Sequence, residues 1–562
     1  MSAEADHRLR VVLFWHMHQP EYRDPLDRTF LAPWTYLHAI KDYADMAAHL
    51  EAAPESARAV VNFPPILLEQ IHDYADRLDA WLKHDSALGD PLLAALAAAE
   101  MPAASEQRRA LLERCLDAHE QHLIQRFPAF ARLTAMSRQA LATATGPDYL
   151  SDRHLADTLT WYHLAWFGET IRRRDTRVRA LTSKAEGYTA DERRELVAII
   201  GELLTGLVGR YQELAAAGRV ELSTSPYTHA MLPLLIDFRA AREARPGTTL
   251  PRHSHYPGGA ARVAWQLQQA RNYCDARLAR QPVGCWPSEG GLSEQSLNAI
   301  GQHGFTWTAT GQAVLRHSLA DEATSDALHR PYRLTDNGPA CFFRDDELSD
   351  LIGFAYKDWH ADDAVADFVA RLERIASDGG TGRVVPVILD GENPWEHYPH
   401  NGYHFVPALY EALDRHPHIH LTTFAECLDE PAVRVAKLPH LVAGSWVYGD
   451  FGTWMGDPDK NRAWDLLCEA KAMVDRKLPF ISSAARQAVV ERQVGVCEGS
   501  DWFWWFGDYN PPAVVAEFDQ LYRRQLMALY SMLDEPVPDG LSEAVSRGSG
   551  QPELGGTMRR SS

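Results

Sequence analysis

The sequence predicts an α/β fold, a (β/α) barrel or a distorted relative of one, and three observations point there. Residues 11–15 form an apolar run without alternation, as a strand buried on both faces of a parallel sheet requires. Similar short runs recur from Val11 to Val442, with helical stretches between most of them. Two of these runs end in carboxylates, Glu289 in Trp286-Pro287-Ser288-Glu289 and Asp390 in Val387-Ile388-Leu389-Asp390. Residues just past the carboxyl ends of parallel strands line the reaction mouth of such folds.

The first strand empties into His16-Met17-His18-Gln19-Pro20. Strand candidates follow at 59–63, 220–223, 283–286, 306–309, 340–343, 384–389 and 420–423. Residues 260–280 and 362–377 read as the helices that precede the two carboxylate strands. Between the second and third strands lies an insertion at about 91–217, helical at 92–100, 106–125, 152–174 and 191–217. It is too long for a crossover and reads as a lid or side domain. Strand signals fade after Val442, and 461–477, 479–498 and 512–533 read as helices. The expected organisation is therefore a catalytic barrel over 1–440, a helical domain over 441–533 that completes the cleft, and a disordered tail over 534–562.

Composition excludes several classes. The chain has 562 residues, 46% hydrophobic and 23% charged, the profile of a soluble globular protein. A formal net charge of −20 without a dense Lys/Arg run argues against nucleic acid. No apolar stretch is long enough to cross a bilayer, and the acidic start does not look like a secretory signal. Seven cysteines without CxxC spacing fit reduced thiols, so a cytoplasmic location is expected.

Two acids at strand ends, each flanked by Trp and Gly, suit glycosidic bond cleavage, which takes a proton donor and a nucleophile or base. Taken singly, each is equally well explained as a cap of the helix that follows. Many of the 16 tryptophans sit in loop-like surroundings, among them Trp286, Trp395, Trp446, Trp454, Trp502, Trp504 and Trp505. Flat rings beside carboxylates suit sugars, although an apolar plug between domains explains the two C-terminal groups about as well. Asp450, Asp501 and Asp508, interleaved among those rings, favour a wet cleft wall. His16 and His18 fit sugar hydrogen bonding better than zinc, because no third ligand motif stands out; Gln19 and, in a later loop, Tyr227 and His229 are further candidates.

In combination these motifs resemble glycoside hydrolase family 57. Five occur in order: His18-Gln19-Pro20; Glu221 to His229; Trp286-Pro287-Ser288-Glu289; Leu389-Asp390-Gly391-Glu392-Asn393; and Gly444 to Trp454. The resemblance, closest to the amylopullulanase and α-amylase-like branch, implies a distorted seven-stranded barrel acting on α-glucans with retention. It implies Glu289 as nucleophile and Asp390 as general acid/base, with His16, His18, Gln19, His229, Trp286, Glu392, Trp395, Trp446, Trp454, Asp501 and Trp504 on the substrate. Cleavage of α-1,4 bonds of starch or glycogen is expected, with α-1,6 bonds left as an open extension, and with no metal or organic cofactor. Related branches are 4-α-glucanotransferases and branching enzymes. Two other classes stay open: a metal-dependent glycosidase or deacetylase using His16, His18 and an Asp, and a non-catalytic glucan-binding protein. For the two-carboxylate mechanism, Glu289 needs hydrogen bonds, expected from His16 or His18, and Asp390 needs desolvation, expected from Trp395.

Overall fold

The computed structural model describes residues 8–320, 327–378, 380–550 and 557–559. In chain order the strands are β1 (Leu9–His16), β2 (Ala59–Asn62), β3 (Val220–Ser223), β4 (Gly284–Cys285), β5 (Trp307–Thr310), β6 (Tyr332–Arg333), β7 (Ala340–Phe343), β8 (Val384–Asp390), β9 (Ile419–Leu421) and β10 (Ala436–Lys437). All eight expected strands are present within a residue or two. The two additions, β6 and β10, are two-residue pairings that carry no periodic signal.

One parallel sheet runs β3-β2-β1-β8, and β9 pairs with the start of β1. A second runs β4-β5-β7, with β6 antiparallel to β7. A bridge between Thr224 and Cys285 joins the sheets along one seam. Along the other, Asp345 N donates to the Pro386 carbonyl at 2.8 Å. The seams bring β1, β2, β3, β4, β5, β7 and β8 into a distorted barrel of seven parallel strands.

Period-two alternation decides what faces inward. Val12, Phe14, Val60, Trp307, Phe342, Val384 and Ile388 fill the barrel, while Val11, Leu13, Trp15, Val385, Val387 and Leu389 pack outside it. Continuing the inward series places His16 and Asp390 at the mouth, and they are direct partners across the β1–β8 ladder. On its other side His16 pairs with Asn62, which pairs with Ser223. Polar residues thus succeed the apolar fill at one level on four adjacent strands.

The insertion is helical, as expected, but differs in detail. The stretch 106–125 breaks into a helix, Ser105–Cys115, and a separate turn at Glu120–Ile124. Helices Pro128–Leu141 and Thr176–Lys184 are additional. Helix Ala190–Ala216 starts with a Thr189/Glu192 capping box and packs against Pro65–His84, whose Leu68, Ile71, Ala75 and Leu78 recur at helical spacing.

C-terminal helices Pro458–Lys477, Ala484–Cys497, Ser500–Trp505 and Pro512–Met532 share one apolar core with the β4–β7 side of the barrel. A buried ionic cluster docks them on the other side: Arg492 bonds Glu21 at 2.6 Å and also Glu69, and Arg23 bonds Glu21 at 2.6 Å. The segment expected to be a disordered tail is, in its described part, folded onto these helices. Leu541 and Val545 are buried, and the Asp519 carboxylate accepts from the amides of Val545 and Ser546. Among the described residues no helix is long and apolar enough to cross a membrane.

Candidate active site

Glu289 and Asp390 line the same cavity, of about 450 Å³, at the carboxyl end of the barrel. His16, His18, Gln19, His229, Glu392, Trp446, Asp501 and Trp504 line it with them. Ten of the thirteen residues read from the sequence therefore converge.

Glu289 sits at φ 60° and ψ 23°, a left-handed conformation that costs a non-glycine residue about 1–2 kcal/mol. The loop bearing Trp446 holds it there: Trp446 N donates to the Glu289 carbonyl at 3.1 Å, and Leu292 and Gly444 exchange hydrogen bonds beside it. The carboxylate accepts from Ser500 Oγ at 2.9 Å and from Trp446 Nε1 at 3.3 Å. Neither His16 nor His18 reaches it, contrary to expectation. His16 Nδ1 instead meets Asn62 Oδ1 at 2.7 Å, and His18 Nε2 meets both Asp501 oxygens at 2.9 and 3.0 Å. The nearest imidazole is His229, with Nδ1 3.9 Å from Glu289 Oε1 and 2.9 Å from Ser500 Oγ.

These contacts settle tautomers. Asn62 donates through Nδ2 to Ser223, so its Oδ1 is the acceptor and His16 carries the proton on Nδ1. With Glu289 ionised, as a nucleophile must be, Ser500 gives it its one proton, so His229 donates from Nδ1 and keeps a lone pair on Nε2. Burial and the neighbouring His18 push His16 down to about 3, and burial with His18 and His16 pushes His229 well below the usual range. Both are neutral imidazoles at ordinary pH.

Burial, then the charges of Asp501 and Asp390, push Glu289 up to about 8 against the Ser500 and Trp446 hydrogen bonds. Burial raises Asp390 to about 6, opposed by the Asn393 amide, which donates to Oδ2 at 2.8 Å, and by His18 and Arg344. In the free cleft the weaker acid is thus Glu289, the reverse of the order that the nucleophile and acid/base assignment asks for. Glu392 is buried and pushed well above the carboxylate range; its Oε1 accepts from the His18 amide at 3.0 Å.

Three tryptophans read as substrate platforms are elsewhere. Trp286 is fully buried inside the barrel, under Trp446 and against Phe14, because it continues the inward face of β4. Trp395 packs on Trp15 outside the barrel and donates to the Gly391 carbonyl, so it does not desolvate Asp390 from the cavity side. Trp454 is buried among the C-terminal helices against Trp504. The aromatic wall is made instead by Trp34, Trp166, Trp446, Trp504 and Trp505.

A family model described as Glycosyl hydrolase family 57 matches residues 12–439. The chain belongs to that family. It is a glycoside hydrolase-type enzyme, and the seven-stranded barrel is the family fold. A GH57-type branching enzyme from Pyrococcus horikoshii matches with a TM-score of 0.55 and 16% identity, over 94% of this chain and 88% of that one. The α-amylase AmyC from Thermotoga maritima gives 0.55 and 14%, over 95% of each chain. A GH57 branching enzyme from Thermococcus kodakaraensis gives 0.55 and 15%, over 97% and 98%. At these identities the likeness is one of fold. No curated protein matches the sequence.

Several residues of this family 57 site escaped the sequence reading. Ser500 and Asn62 act through side chains whose partners are far away in the chain, so no local pattern marks them. The insertion supplies Leu116, Asp117, Ala118 and Trp166, and the last long helix supplies Val514, Glu517 and Phe518. A metal could be held by His18, His229 and Asp501, which offer one ligand atom each within 4.8 Å of one another.

Proposed function

We propose that the chain is a retaining glycosidase acting on α-1,4-linked glucans, with Glu289 as nucleophile and Asp390 as general acid/base. The supporting observation is that both carboxyls line one cavity at the ends of their strands, with two hydrogen-bond donors trained on Glu289 alone. The tryptophan wall offers ring faces to sugars, and His16, Gln19 and Glu392 offer polar partners to hydroxyls.

In the first step a Glu289 oxygen bonds the anomeric carbon as the glycosidic bond breaks, and Asp390 passes its proton to the departing oxygen. The glycosyl ester has then consumed the Glu289 charge, so Asp390, now ionised, is a competent base. It takes a proton from an acceptor hydroxyl, whose oxygen displaces Glu289 from the same face the leaving group occupied. Two displacements give net retention. Water as acceptor gives hydrolysis, and a second glucan gives 4-α-glucanotransfer or branching. We place hydrolysis first, on the sequence resemblance to the amylopullulanase and α-amylase-like branch.

The test is to incubate the protein with maltoheptaose and, separately, pullulan, and to resolve the products. Exclusively shorter oligomers support hydrolysis, longer ones transfer, and new α-1,6 linkages branching. No change in either substrate would reject a catalytic role on these glucans.

A further inference from the structure

The cavity is one-sided in charge. Asp117, Asp390, Glu396, Asp501 and Glu517 line it beside Glu289 and Glu392, whose carboxyls burial holds largely protonated near neutrality, and none of its described lining residues is Lys or Arg. Such an enclosure concentrates cations. Glucan cleavage accounts for the Glu289 and Asp390 pair and for some negative field at its oxocarbenium-like transition state, but the glucan itself is neutral.

Within it, three side chains from three separate parts of the chain meet. His18 follows β1, His229 sits in a left-handed turn at φ 59° after β3, and Asp501 belongs to helix Ser500–Trp505. One ligand atom from each lies within 4.8 Å of the others. The His18 and His229 rings stack with centroids 3.9 Å apart, and His18 Nε2 is already 2.9 Å from Asp501. His229 Nε2 and His18 Nδ1 are buried and have no hydrogen-bond partner among the described residues. A buried polar atom without a partner in a native site calls for a ligand or a water. With Glu289 ionised, His229 Nε2 also carries a lone pair, because Nδ1 spends its proton on Ser500.

We propose that His18, His229 and Asp501 form a binding site for a borderline divalent cation of the zinc type, and that an occupied site competes with the glucan. Two imidazoles and a carboxyl group are the donor set zinc accepts, and three protein ligands leave a coordination position open toward the cleft. Calcium and magnesium are disfavoured, because both call for mostly oxygen ligands. Ser500, which accepts the proton of the distal His229 nitrogen, orients that ring as an outer-shell partner does. The cation is not a participant in the two-carboxylate reaction: it draws His18 and Asp501 away from substrate and blocks the approach to Glu289. The competition rests on the proposed glucan chemistry, whereas the binding itself does not.

Binding is measured first, without substrate. Chelator-treated protein is titrated with ZnCl2 alone by calorimetry, and with CoCl2 by visible absorption. One zinc per chain with micromolar affinity is expected, and Co2+ should give the absorption of a low-symmetry site of mixed nitrogen and oxygen ligands. Asp501→Asn and His229→Gln should each weaken zinc binding at least about tenfold. If either variant misfolds by circular dichroism, the cobalt spectrum of the unaltered chain still decides. No saturable binding, or binding unchanged in both folded variants, would overturn the site. With maltoheptaose, zinc should raise KM severalfold and leave kcat unchanged. Zinc that binds at this site but leaves KM unaltered would overturn the competition. A protein that binds zinc yet never turns over maltoheptaose would reject the glucan reading and leave the cation site standing.

Discussion

Ser500 Oγ donates to Glu289 Oε1 at 2.9 Å, across 211 residues of sequence, so a hydroxyl of the C-terminal helices holds the barrel's candidate nucleophile. A donor on a carboxylate favours its ionised form, and a hydrogen bond to a charged group is worth about 1.5–3 kcal/mol. Removing it in Ser500→Ala should lower kcat/KM by about tenfold to a hundredfold, with Ser500→Thr retaining most activity.

The pH profile carries a sharper expectation. The competent form has Glu289 ionised and Asp390 protonated. Because Glu289 lies near 8 and Asp390 near 6, that form is the minor one, about one part in a hundred between the two values. Below 6 the fraction rises with pH as Glu289 ionises while Asp390 stays protonated. Above 8 it falls, since Glu289 is fully ionised and Asp390 keeps losing its proton. The kcat/KM profile should therefore be a bell with shoulders near 6 and 8. Ser500→Ala raises Glu289 further, so the alkaline shoulder should move up. A shift of the acid shoulder alone would mean that the two acids titrate in the opposite order.

Much of this site was legible because strand ends are local features. His16, Glu289 and Asp390 each terminate an apolar run, and the run's own alternation aims His16 and Asp390 inward. The tryptophans were not legible by the same means. Trp286 and Trp446 both sit in Gly-containing motifs, yet one is barrel fill and the other lines the cavity. The difference is the face of β4 against the reach of a loop pinned to Leu292. Expecting Trp395 to desolvate Asp390 failed for a related reason. It sits in the turn after β8, and its ring folds back onto the outer face beside Trp15. Two-residue strands such as β6 and β10 are too short to show a period at all.

That distinction among rings is measurable. Trp504 lines the cavity, so Trp504→Ala should raise KM for maltoheptaose about tenfold, as the loss of one stacking platform does, with kcat less affected. Trp286→Ala empties the barrel instead, and should cost about 3–5 kcal/mol in denaturant unfolding. A Trp286 variant of normal stability and high KM would return that ring to the substrate.

The two carboxylates can be told apart by leaving group. Glu289→Gln should abolish turnover on every glycoside without loss of folding. Asp390→Asn removes the proton donor, which is worth about a hundredfold to ten-thousandfold when the leaving oxygen must be protonated. With an α-glucosyl fluoride or nitrophenyl glycoside the departing group needs little help. The first step should then survive in Asp390→Asn, and glycosyl-enzyme should accumulate as a burst detectable by mass spectrometry on Glu289. Equal loss on natural and activated substrates would remove Asp390 from the acid role.

Helix docking can be tested at Arg492, which joins Ala484–Cys497 to the barrel through Glu21 and Glu69. Burial alone would raise Glu21, but Arg23 and Arg492 hold it far below the usual carboxylate range. A carboxyl depressed in the folded state stabilises the fold above its unfolded value, about 4.3, and that contribution fades as pH falls further. Arg492→Met leaves Glu21 buried with only Arg23, and breaking such a buried pair costs about 3–5 kcal/mol. The loss should be largest near neutrality and shrink in acid, as Glu21 protonates in both variant and parent. Because Ser500 belongs to the same helical region, kcat/KM should fall along with stability. Urea titrations at several pH values measure the first effect, and a loss independent of pH would show that Arg492 acts by packing rather than charge.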